Sequence, residues 1–246
     1  MEPFGYHAME IRSFVIVLAL VLVTVATFFS GKYYVLAPVL FMAGFFCVSA
    51  VSLWAALRMR TRELLVLVVV SLAMASVDEY FHVSTGIYAY FDGGVPSPIS
   101  VFGTGLLMIF ITVTASRLWK FLPWKSERGL LRILPTLLCL LILLVFAEMQ
   151  GYLSILRWPV ILLYAVMGVA GVFYAYRHPL GRTVSLMISG IVIGATMEFF
   201  GSLEGMWSFH FLEPLPLFMI FVWALRTFLV HASCFLLGVD FGTENN

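Results

Sequence analysis

The sequence predicts an all-α integral membrane protein of about eight transmembrane helices, arranged as two tandem, parallel four-helix repeats. Three observations predict it. Hydrophobic residues make up 62% of the chain and charged residues 11%, whereas a soluble domain carries about 25% charged residues. Apolar runs of bilayer-spanning length recur along the 246 residues. Distinctive residues also return at a near-constant offset of 119.

The spans are read at 11–29, 35–57, 64–81, 97–117, 131–149, 155–176, 183–200 and 214–237. The first run lacks a small-residue cleavage site and leads into further spans, so it reads as an anchor and not as a removed signal. Residues 1–118 form the first repeat and 131–246 the second, joined by a polar cytoplasmic linker at 119–130. The offset maps Tyr33 onto Tyr152, Arg58 onto Arg177, Glu79 onto Glu198, Gly86 onto Gly205 and Phe102 onto Phe221. One deletion shifts the proline pairs, Pro96/Pro98 and Pro214/Pro216, to an offset of 118. Four spans are an even number, so the halves run in the same direction. A pseudo-twofold along the membrane normal is expected, not an inverted repeat.

Basic residues set the expected orientation. Arg58, Arg60 and Arg62 follow the second span, and Arg117, Lys120, Lys125, Arg128 and Arg132 surround the linker. Arg177 and Arg182 flank the connection between the sixth and seventh spans, while the opposite connections carry only Lys32 and Arg157. The basic side should be cytoplasmic and should hold both termini. The expected location is a cell membrane, crossed several times.

The candidate chemistry lies in two copies of one motif on the outer side. The first is Glu79, Gly86, Tyr88, Tyr90 and the prolines; the second is Glu198, Gly205, Trp207, Phe209 and the prolines. Alternation places each aromatic pair on one side of an extended segment. Such a pair serves either as an interfacial aromatic belt or as a wall of π-faces for a cation or polyene. Glu79 and Glu198 read either as interfacial carboxylates capping a loop or as facing carboxyls in a poorly hydrated pocket. In the second case one acts as general acid and the other as base. Asp78 adjoins Glu79, and Glu148 closes the fifth span. Arg226, mid-span, has Leu107 as its counterpart and must face the interior, pairing with a carboxylate. It is either a structural ion pair or a group tuning the acidic site. His82 and His210 are read in the outer loops, near Asp92, Glu204 and Glu213, where they would assist proton transfer. His178 and His231 are read as structural.

Several classes are set aside. A net charge of +1 argues against nucleic acid. Cys47, Cys139 and Cys234 sit in apolar runs without metal or disulfide spacing, and no metal is expected. The lysines, at 32, 120 and 125, lie outside span centres, which disfavours a retinal Schiff base. Walker, Rossmann, Gly-x-Ser-x-Gly and aspartate-rich diphosphate motifs are lacking.

The stretch Glu79-x-x-His82-x-x-Thr85-Gly86-x-Tyr88-x-Tyr90 resembles the carotenoid biosynthesis membrane proteins that include carotenoid end-group hydratases. The second copy is similar to the acidic residue and Gly-x-Trp-x-aromatic pattern of membrane lycopene cyclase domains. Pro214-Leu-Pro216 stands where those domains continue Pro-x-Glu-Glu. The resemblance implies a cofactor-independent enzyme that protonates a terminal isoprenoid double bond, with hydration preferred over cyclisation. Glu79 and Glu198, tuned by Asp78 or Arg226, would be catalytic. Tyr88, Tyr90, Trp207, Phe209, His82 and His210 would bind the substrate, a carotenoid or other polyisoprenoid lipid. A long polyene could lie between the two halves, parallel to the spans, with its end group among the outer-side aromatics. A small-molecule transporter and a lipid-binding assembly subunit are the non-enzymatic alternatives.

Overall fold

A computed structural model describes residues 11–30, 39–90, 95, 97–122, 129–203, 205–210 and 216–241. These form the helices α1 (Ile11–Ser30), α2 (Val39–Ala56), α3 (Thr61–Ser84), α4 (Pro98–Phe121), α5 (Leu134–Met149) and α6 (Trp158–Arg177). They are followed by α7 (Leu180–Leu203) and α8 (Leu217–Leu236). Two short strands, β1 (Tyr88–Tyr90) and β2 (Trp207–Phe209), follow α3 and α7. Five helices, α3, α4, α6, α7 and α8, are long and apolar enough to cross a membrane. The other three contribute shorter apolar stretches, Arg12–Ala26, Gly44–Ala56 and Leu134–Met149. The chain is therefore an all-α membrane protein. Tyr33, Asp92, Pro96, Glu204, Glu213 and Pro214 lie outside the described residues.

The helices begin where proline can start them. Pro98 stands in the first turn of α4 and Pro216 caps α8, positions where a missing N–H costs little. Inside the bundle, helices approach closely through small residues, as expected where lipid removes the hydrophobic drive between helices. The backbone of α7 makes a π-turn at Gly190–Gly194, and there Gly190 and Gly194 lie against Thr227 and Trp223 of α8. α8 is the most enclosed of the five long helices.

Two helices lie at the centre of the packing. α4 packs against α1, α2, α3 and α7, while α8 packs against α5, α6, α7 and α3. Residues 119 apart meet at two levels. Ala89 pairs with Ser208 at the centre of the strand ladder, and Thr112 Oγ1 lies 3.1 Å from His231 Nε2.

The basic connections gather at one end of the bundle. Arg58 and Arg117 both lie over the Trp54 ring, at 4.1 and 5.5 Å. Arg62 donates to the Leu237 carbonyl and Arg132 to that of Tyr176. Asp240 closes this end, ion-paired with Arg182 and 3.4 Å from His178. Burial pushes the Asp240 carboxyl up, but the His178 hydrogen bond and the Arg182 guanidinium outweigh it and hold the group below its ordinary value. A depressed folded-state pKa means stability that is present above the unfolded value, about 3.9, and is lost as pH falls through the folded one. Asp240→Asn should lower the melting temperature at neutral pH. The difference from wild type should shrink as pH falls below about 4, as read by thermal unfolding in detergent. A difference independent of pH would contradict the ion pair.

Candidate functional site

At the opposite end, the two motif copies fold onto each other. β1 and β2 pair antiparallel, Tyr88 with Phe209 and Tyr90 with Trp207. The His210 N–H extends the ladder to the Ile87 carbonyl. The turns before the strands match in detail. Gly86 and Gly205 take φ of 80° and 76°, the left-handed region that glycine enters without strain. Gly86 donates to the Val83 carbonyl and Gly205 to that of Ser202. Ile87 donates to His82 and Met206 to Gly201. Tyr88, Tyr90 and Phe209 turn inward, and Ala89 and Ser208 outward.

Below the ladder lie three buried carboxyls and one guanidinium: Asp78, Glu79, Glu198 and Arg226. Arg226 bonds to Asp78 and stacks 4.2 Å over the Trp223 ring. Asp78 also faces His82 Nδ1 at 3.3 Å. The two glutamates take their bonds from neutral donors. The Tyr90 hydroxyl donates to Glu79, and Trp223 Nε1 donates to Glu198 at 3.1 Å. Trp223 reaches Glu198 because Gly194 leaves room for its indole: a Cβ there would lie 2.2 Å from the ring. The Tyr90 phenol is held well above its ordinary range, first by burial and then by the Glu79 and Glu198 carboxylates. It therefore stays protonated and keeps donating.

A cavity of about 130 Å³ opens beside this cluster. Glu198, Tyr90, Trp207 and Trp223 form its polar and aromatic wall, and Phe45, Leu107 and Met197 contribute apolar surface. Residues of α1, α2 and α4 on one side and of α7 and α8 on the other line it, so segments from before and after the 119–130 linker share its wall. One expectation changes. His82 is not in a loop beside a substrate. It is fully buried in the last turn of α3. Its Nδ1 lies 2.7 Å from the Asp78 carbonyl and its Nε2 2.7 Å from the Tyr164 hydroxyl, and it stacks on Tyr88. The α3 helix runs one turn further than the sequence reading, and His82 on that turn faces the core. His210 is exposed and is not among the residues lining the cavity.

The 119-residue offset pairs unlike residues at several of these positions. His82 corresponds to Gly201, Tyr88 to Trp207, Asp78 to Met197, Tyr164 to Phe45 and Arg226 to Leu107. In the first copy His82 fills the space beneath Tyr88. In the second, Gly201 leaves that space to the larger Trp207 ring. A Cβ at 201 would lie 1.9 Å from Trp207 Cη2, so Gly201→Ala must displace the indole from the cavity wall. Overpacking of this kind costs about 1–3 kcal/mol. The expected outcome is a lower melting temperature with an altered tryptophan emission; wild-type values for both would contradict the contact.

Sequence reasoning missed Trp223 and Tyr164. Trp223 was within reach of it, lying one helical turn before Arg226 on the same face. Tyr164 carried no local signal, because its partner His82 is 82 residues away. Fold and site define a class: an α-helical membrane protein with a carboxyl in an aromatic-lined cavity. No protein-family model matches the chain, and no curated protein or solved structure matches it.

Proposed function

We propose that this protein is a membrane enzyme that modifies the end group of a carotenoid or other isoprenoid lipid by acid–base chemistry, with hydration as the reaction. The observation that carries the reading is Glu198: a carboxyl set in the wall of a small cavity that is otherwise largely aromatic and aliphatic. Such a setting suits a carboxyl that delivers a proton away from water. In this scheme Glu198 protonates the terminal double bond. The cation that forms at the branched carbon faces the π-clouds of Trp207 and Trp223. Water adds to that carbon, and its surplus proton passes to a carboxylate, with Glu79 as the base held by Tyr90. The net change is the gain of one water. Asp78 and Arg226, bonded to each other, act by positioning.

All eight helices are read as spans, in two four-helix halves, with both termini cytoplasmic in a cell membrane. The contacts between residues 119 apart support the two halves. The single basic end supports the orientation. A transporter would need access to its site from both faces; here the carboxyls lie at the ladder end.

The test is expression in a host that accumulates lycopene, with pigments analysed by chromatography and mass spectrometry. A mass gain of one water is expected. An isomer of unchanged mass would replace hydration by cyclisation, and unaltered lycopene would remove lycopene as the substrate.

A further inference from the structure

The cavity volume limits what the site can enclose. About 130 Å³ is slightly less than the ~150 Å³ of a dry apolar cavity that accepts one benzene. It holds on the order of six carbon atoms, and a long lipid chain must therefore leave most of its length outside.

The position of the opening says where that length goes. Val25 of α1, Phe46 of α2 and Met197 of α7 are among the residues that line the cavity. Phe46 is 59% exposed, and Val25 and Met197 are half-buried. None of the three is charged. Met197 lies close to Gly44 of α2, where an added Cβ would be 3.8 Å from its sulfur. A flexible thioether thus spans the gap between α2 and α7, and methionine is the side chain that re-packs most readily. Val25, Phe46 and Glu198 each lie one and a half to two turns from the ladder end of their helices, or roughly 8–10 Å along the axis. With these helices taken as spans of a hydrocarbon core about 30 Å thick, that depth falls among acyl chains.

We propose that the site is loaded sideways from the bilayer. A long-chain lipid enters end group first through a port between α1, α2 and α7, gated by Phe46 and Met197. Only its terminal six or so carbons reach Glu198, and the rest of the chain stays in the lipid. The inference rests on reading these helices as spans and the Glu198 cavity as the site. It adds that the substrate is selected by its compact end group and not by its chain length.

Trp223 reports on the port, because it lines the cavity and is only 3% exposed. A variant keeping Trp223 as its single tryptophan, with the others changed to phenylalanine, is reconstituted in phosphatidylcholine vesicles. 1-Bromohexadecane is titrated in as a lipid-borne heavy-atom quencher, and acrylamide serves as the aqueous one. Saturable loss of about half the emission or more is expected with the bromoalkane, and little with acrylamide. Gly44→Phe, which fills the gap beside Met197, should abolish the bromoalkane effect. If the single-tryptophan variant does not fold, one that also retains Trp207 carries the same titration. Non-saturable quenching, quenching by acrylamide alone, or an unchanged response in Gly44→Phe would overturn the port. The pigment assay is separate. Hydrated product without saturable quenching rejects the port alone, and saturable quenching without any product rejects the chemistry alone.

Discussion

Arg226→Leu is expected to destabilise the protein by about 3–5 kcal/mol, the cost of leaving a buried charge without its partner. The residue left behind is Asp78, which is fully buried and bonded to Arg226. The double variant Asp78→Met with Arg226→Leu should recover most of that loss. It installs the residues found at the equivalent positions, Met197 and Leu107, and replacing a buried ion pair by apolar groups of similar size is often neutral or stabilising. His82 keeps two anchors in the double variant, the backbone carbonyl at position 78 and the Tyr164 hydroxyl. Unfolding in detergent followed by near-UV circular dichroism reads both. Equal losses in the single and double variants would show that the ion pair is not the source of the effect.

Glu198→Gln should reduce product formation by about 10²–10⁴-fold, the usual contribution of a positioned general acid, without unfolding the protein. The amide keeps a carbonyl oxygen for the Trp223 indole, now 3.1 Å away from the carboxylate, and it fits the same space. What it lacks is an acidic proton. Glu79→Gln should also abolish turnover if Glu79 accepts the proton from water. Tyr90→Phe, which removes the hydroxyl held by Glu79, should give an intermediate loss. Initial rates measured on membranes with matched protein content separate these cases. Full activity in Glu198→Gln would sink the assignment of the acid, whatever the substrate.

These two variants differ in kind because of where each residue stands. The ion pair and the cavity occupy places related by the 119-residue offset. At the cavity, Leu107 and Met197 line the wall and leave Glu198 facing it. At the related place Arg226 and Asp78 stand instead, with His82 and Tyr164 bonded beside them. Changing the ion pair is therefore a question of stability, and changing Glu198 is a question of chemistry.

Much of this was legible in the chain. The apolar runs reported the helices, since nothing but a helix or closed barrel satisfies the backbone in lipid. The glycines at 86 and 205 reported two sharp turns, and both have positive φ. The alternation Tyr88-x-Tyr90 reported a shared face, and both rings are buried. Arg226 in a span reported a buried carboxylate partner, because an unpaired charge there is too costly. Local spacing and the cost of burial carry all of these, and both are properties of the sequence itself.

The rest was decided only by packing. Asp78, Glu79 and Glu198 were all available to Arg226, and rotation of α3 against α8 gave it Asp78. The π-turn at Gly190–Gly194 lies directly ahead of Glu198, and the gap at Gly194 admits Trp223; neither follows from a count of carboxylates. His82 was expected in a loop and lies in the core, because one further turn of helix carries it under Tyr88. Composition and spacing determined the membrane helices, the two turns and the inventory of buried charges. Which charge meets which donor, and which carboxyl faces open space, depends on helix rotation and side-chain volume between residues far apart in the chain, and only the tertiary structure settles those.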